Sequence, residues 1–63
     1  MRLIDLIPII EPSRVLVISD SENNKIDTIH EFKNLEKYYH ETVLEIYATR
    51  YDNTDALAIS VNI

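Results

Sequence analysis

The sequence predicts an α+β fold, with a short N-terminal helix, two β-hairpins joined by a second short helix, and one mainly antiparallel four-stranded sheet in the order α-β-β-α-β-β. Three observations predict it. Apolar and polar residues alternate along 43–51 and again along 56–63, the period of half-buried strands. Turns rich in Asn and Asp sit between the strand-like runs, at 20–24 and 52–55. Ten Ile, six Leu and four Val among 63 residues supply a core, which disordered chains lack. The length allows one small domain, residues 1–63.

Met1–Pro12 reads as a helix with Asp5 at its N-cap and Leu6, Ile7 and Pro8 in the first turn, where proline has no donor to lose. Ile4 and Ile9 then have the spacing of a hydrophobic staple, and Pro12 stops the helix. Ser13–Ser19 is the clearest strand, apolar on both faces through Val15-Leu16-Val17-Ile18 and therefore central or covered twice. Asp20–Asn24 is a turn in which Asn23-Asn24 replaces glycine where φ must be positive. Lys25–Phe32 is open to two readings. Ile26, Ile29 and Phe32 suit a helix; Thr28, the two isoleucines and the preceding turn favour a strand with a bulge or an early end. Asn34–Tyr39 follows as a helical turn capped by Asn34, with Leu35 and one tyrosine inward. In Thr42–Tyr51, Leu44, Ile46 and Ala48 share one face, and Val43, Glu45, Tyr47, Thr49 and Tyr51 the other. After the turn Asp52–Asp55, Ala56–Ile63 directs Leu57, Ile59, Val61 and Ile63 inward and Ala58, Ser60 and Asn62 outward.

Composition excludes much chemistry. With no cysteine there is no disulfide framework, thiolate zinc site or cysteine nucleophile. With no glycine there is no phosphate loop, dinucleotide fingerprint or nucleophile elbow, since each needs backbone positions that only glycine tolerates. The formal charge of −5 disfavours direct nucleic-acid binding, and the six basic residues form no run. It suits either a partner with a basic surface or simple solubility. The longest apolar stretch, Leu6–Ile10, is far short of a membrane span. One Arg, an early Asp5 and no small-residue cleavage site do not make a signal peptide, and the missing cysteine fits a cytoplasmic setting.

No catalytic, cofactor or metal residues are expected. His30-Glu31 and His40-Glu41 pair imidazole with carboxylate, but neighbours on a strand point to opposite faces and do not converge. Asp20, Glu22 and Asp27 lack the spacing and central glycine of a calcium loop. Ser13, Ser19, Ser21 and Ser60 have no adjacent base or oxyanion-hole signature. The tyrosines carry more information. Tyr47 and Tyr51, with Val43, form a stripe on the sheet face away from the helices, and tyrosine is enriched at interface hot spots. The expected partner-binding set is Tyr47, Tyr51, Val43, Glu45, Glu41, Asp52 and Asp55.

The succession L-I-D-L-I-P-I-I, V-L-V-I-S-D with S-E-N-N, F-K-N-L-E-K-Y-Y, E-T-V-L-E-I-Y-A and L-A-I-S-V resembles small acidic accessory proteins of phages and prophages of Gram-positive bacteria. The resemblance runs over nearly the whole chain, rests on hydrophobic spacing and turns, and brings no functional residue with it. It implies a non-enzymatic protein in the bacterial cytoplasm that binds and inhibits a host protein with a basic surface, as anti-CRISPR proteins do with CRISPR–Cas effectors. The alternative is a homo-oligomeric structural or regulatory phage protein. A homodimer is expected on either count, because so small a core with no disulfide gains from a partner subunit.

Overall fold

A computed structural model describes residues 1–10 and 15–63; the predicted stop at Pro12 and strand start at Ser13 lie outside the described residues. The fold is α+β: one mixed four-stranded sheet with two short 3-10 helices, η1 (Leu3–Leu6) and η2 (Phe32–Tyr38). The strands are β1 (Val15–Ser19), β2 (Lys25–Ile29), β3 (Val43–Tyr51) and β4 (Thr54–Val61), in the spatial order β2-β1-β4-β3. Both hairpins are antiparallel, as expected, but β1 and β4 run parallel in the middle of the sheet. The sheet is therefore mixed: two of its three pairings are antiparallel, as the mainly antiparallel expectation has it, and the parallel central one was not foreseen. The two most apolar strands take the centre, and the connection through η2 and β3 returns β4 beside β1 in the same direction.

One face of the sheet meets η1 and η2. Leu16 and Ile18 of β1, Ile29 of β2 and Ile59 and Val61 of β4 pack there against Leu3, Leu6, Ile10 and Leu35. Ile7, Phe32, Tyr38, Tyr39, Val43 and Leu57 pack around this cluster half-buried. Lys25–Ile29 is a strand with a register shift opposite Ile18/Ser19, which settles the ambiguous segment as a bulged strand that ends early.

Both helices depart from the predicted α-turns. The first begins earlier, at Leu3, and the Asp5 carboxylate accepts from the Arg2 N–H at 3.1 Å, so Asp5 sits inside the helix and not at its cap. Pro8 therefore follows the helix, where the Ile9 N–H reaches Leu6 O at 2.8 Å, and Ile9 is 77% exposed, with no staple to Ile4. The second helix starts at Phe32 behind Glu31, without a side-chain cap, so Asn34 lies within it. Leu35 is buried and both Tyr38 and Tyr39 lean on the core.

Two turns replace glycine with Asn and Asp. Asn23 takes φ 66°, and Asp52 and Asn53 take φ 51° and 63°. In the first turn the Asp20 carboxylate accepts the Glu22 and Asn24 N–H groups, both at 2.9 Å. The Asn24 hydrogen bond, more than the one from Glu22, holds the Asp20 carboxyl below its usual pKa. In the second, consecutive left-handed residues make the tight turn that suits a right-twisted hairpin, and β4 already starts at Thr54. The chain end departs from its predicted alternation: Ile63 is exposed, while Ala58 and Ser60, expected outward, are buried. Their strand is internal, and longer side chains on both sides cover small residues there.

Candidate functional site

Among the described residues one face of the sheet is covered by no helix, and β3 is the long outer strand. From Glu45↔Ser60 to Tyr51↔Thr54 the β3–β4 register is regular, so Glu45, Tyr47, Thr49 and Tyr51 share the uncovered face. Tyr47 is 42% exposed and Glu45 is exposed beside it. Tyr51 is half-buried: its ring meets His30 edge-on at 5.8 Å, and the Lys25 ammonium lies 5.5 Å from its centroid. Lys25 of β2 and His30 just beyond it thus reach across the sheet to hold Tyr51, while Tyr47 stays exposed.

The other expected partner-binding residues are not brought together with these. A bulge at Leu44 separates Val43↔Val61 from Glu45↔Ser60 and turns Val43 toward the core cluster. Val43 is therefore not on the tyrosine face, which corrects the strict alternation drawn from sequence. The same bulge leaves Leu44 52% exposed, away from the inward role expected of it. Glu41 is held near the N-terminal segment, its carbonyl accepting the Leu3 N–H at 2.9 Å. Asp52 forms the turn, and Asp55 pairs in register with Arg50 on the helix-covered side.

Sequence reasoning missed a second surface. Ile46 (39% exposed) and Ala48 point to the helix side, yet η1 does not reach far enough to cover them. Together with Leu6, Ile9, Ile10 and Leu57 they line an apolar groove of about 380 Å³ between η1 and β3. The signal was present in the excess of apolar residues in Leu6–Ile10: a helix apolar on more than one stripe has a surplus face.

Several hydroxyl and carboxylate groups elsewhere are held by structure. Asp27 accepts the Tyr38 hydroxyl at 2.8 Å and pairs with Lys37 at 3.0 Å. The Tyr38 bond first, then Lys37, lowers the Asp27 pKa. Burial, reinforced by Asp27, pushes the Tyr38 phenol up to about 12. Ser60 donates to the Asn23 side chain at 2.9 Å, and Ser21 donates to the Ile63 carbonyl at 3.2 Å. His40 lies on an open polar surface beside Lys33, Asn34, Glu36 and Lys37, well apart from His30 on the sheet. Among the described residues no three His, Cys, Asp or Glu side chains group to hold a metal ion, and no helix is long and apolar enough to cross a membrane.

No family model, curated protein or solved structure matches the chain.

Proposed function

We propose that this chain is a non-enzymatic binding module of the phage accessory kind, which inhibits a host protein by covering a basic surface. A CRISPR–Cas effector is the target of first choice. One observation carries the reading: Glu45 and Tyr47 stand exposed on the sheet face that no helix covers, in a chain of charge −5. An exposed tyrosine on a rigid strand adds contact area at little entropic cost, and the acidic surroundings steer a basic partner. Tyr51, fixed by His30 and Lys25, supports that face rather than reaching out from it.

The test is cleavage of target DNA by a purified CRISPR–Cas nuclease with and without the protein, over a salt series. Inhibition that weakens as salt rises, and that Tyr47→Ala reduces about tenfold, supports the reading. Full cleavage at low salt with excess protein contradicts it for that target. A second reading, a homo-oligomeric structural or regulatory protein, is favoured by the outer edge of β3, whose backbone no other strand among the described residues pairs beyond Val43.

A further inference from the structure

We propose that the outer edge of β3 pairs antiparallel with the same edge of a second copy of this chain, about a two-fold axis at Ala48. The inference rests on the oligomeric reading and gives it a surface, a register and a set of contacts.

The edge already accepts strand-like chain. At its beginning the N-terminal segment is laid along it: Val43 N–H donates to Met1 O at 2.8 Å, Leu3 N–H donates to Glu41 O at 2.9 Å, and Arg2 bridges Thr42. Beyond that point no described residue pairs with the edge. In a hairpin closed by two residues, the pair flanking the turn, here Tyr51 and Thr54, exchanges both hydrogen bonds, and the pattern then alternates. Tyr51, Thr49, Tyr47 and Glu45 thus bond to β4, while the N–H and C=O groups of Ile46, Ala48 and Arg50 point outward.

The open edge has natural limits and a natural centre. The bulge at Leu44 ends the regular ladder on one side and the Asp52-Asn53 turn ends it on the other. Glu45–Tyr51 lies between, with Ala48 in the middle. A second copy running antiparallel about Ala48 therefore meets the open edge along its full length and avoids the place that Met1–Leu3 occupies. Ile46 then pairs with the other copy's Arg50, and Ala48 with Ala48, for about six hydrogen bonds between copies.

Side chains on both faces agree with that register. On the helix side, small Ala48 sits at the axis, and the aliphatic stem of each Arg50 lies over the exposed Ile46 of the other copy. The pairing thereby closes the β3 side of the apolar groove lined by Ile9, Ile46 and Ala48. On the uncovered face, Glu45 comes opposite the other copy's Tyr51, over which the Lys25 ammonium lies 5.5 Å from the ring centroid. No like charges are opposed in this register. It sets Arg50 over Ile46 twice and the small Ala48 against itself, a match that a second copy supplies and an unrelated apolar strand does not.

Light scattering at micromolar concentration tests the proposal. The expected mass is twice the 7.4 kDa of one chain. Ala48→Pro removes an outward N–H, leaves the β4 ladder intact and is expected to give single chains. Ala48→Asp, which opposes two carboxylates at the axis, is expected to raise the dissociation constant about tenfold, and mixing it with Ala48→Lys chains to restore pairing. Because the natural chain has no cysteine, Tyr47→Cys and Thr49→Cys chains, mixed and oxidised, should cross-link to each other at a Cα separation of about 4.5 Å. Single chains at high concentration overturn the proposal. So does a two-chain mass that Ala48→Pro and Ala48→Asp leave unchanged. A monomer that still inhibits a nuclease sinks the dimer alone; a dimer that inhibits nothing sinks only the inhibitor reading.

Discussion

The two outer strands of the sheet differ in how much of their edge and side-chain surface is spoken for. β2 is short (Lys25–Ile29), distorted by a register shift, and tied at Asp27 to Tyr38 and Lys37 of η2. These are the devices by which proteins blunt an edge: a short strand, a bulge, an inward charge. β3 runs nine residues, places Ile46 and Ala48 beside an apolar groove, and among the described residues is covered only at its start, by Met1–Leu3. The lesson is that, among the described residues, one edge is blunted and the other is not, which is why the proposed pairing is placed on β3.

Leu35→Ala should break the comparison hardest. Leu35 is fully buried and pins η2 against the sheet beside β2. Its loss is expected to cost about 2–5 kcal/mol, most of what a domain of this size has, and to unfold much of the population in a urea titration.

Tyr38→Phe is a smaller blow to the same side. Removing the hydroxyl that donates to Asp27 is expected to lower stability by about 1–2 kcal/mol in thermal unfolding. The same pair sets the pH response. Asp27 is depressed in the fold by Tyr38 and Lys37, so its contribution is complete above 3.8 and is lost as pH falls below it. Tyr38 is raised, so its contribution is complete below 10.0 and is lost as pH climbs toward about 12. Unfolding curves for Tyr38→Phe should be flatter at both ends of the pH range.

On β3 the effects on stability should be small and the effects on association large. Ile46 is half-exposed and Ile46→Thr keeps β-branching, so the change is expected to alter unfolding by less than about 1 kcal/mol, while shifting the proposed dimer toward single chains in light scattering. Equal loss of stability and of association would make β3 an ordinary packed strand and erase the contrast with β2.

Much of the fold was legible because it depends on local rules. Alternation located β3 and β4, and Asn and Asp where φ is positive located both turns without glycine. The strand nature of Lys25–Ile29 could be read from β-branching and the turn before it. The parallel pairing of β1 with β4 could not, since it is decided by which apolar strands find each other across the chain. Nor could the bulge at Leu44, because one extra residue leaves no mark in the pattern yet sends Val43 to the core. Both helices tightened to 3-10 turns for a similar reason. Each has only a few residues with which to bury Leu3, Leu6 or Leu35, and packing sets their geometry more than capping does. Of the surface, Tyr47 and Glu45 were readable from alternation; the groove between η1 and β3 depended on where η1 came to rest.

Amide hydrogen exchange at Ile46 and Ala48, followed as the protein is diluted, tests the unfinished β3 edge most directly. The account predicts slow exchange at high concentration, faster exchange on dilution, and no such dependence for the amides of β2. Rapid exchange at Ile46 and Ala48 at every concentration would contradict it.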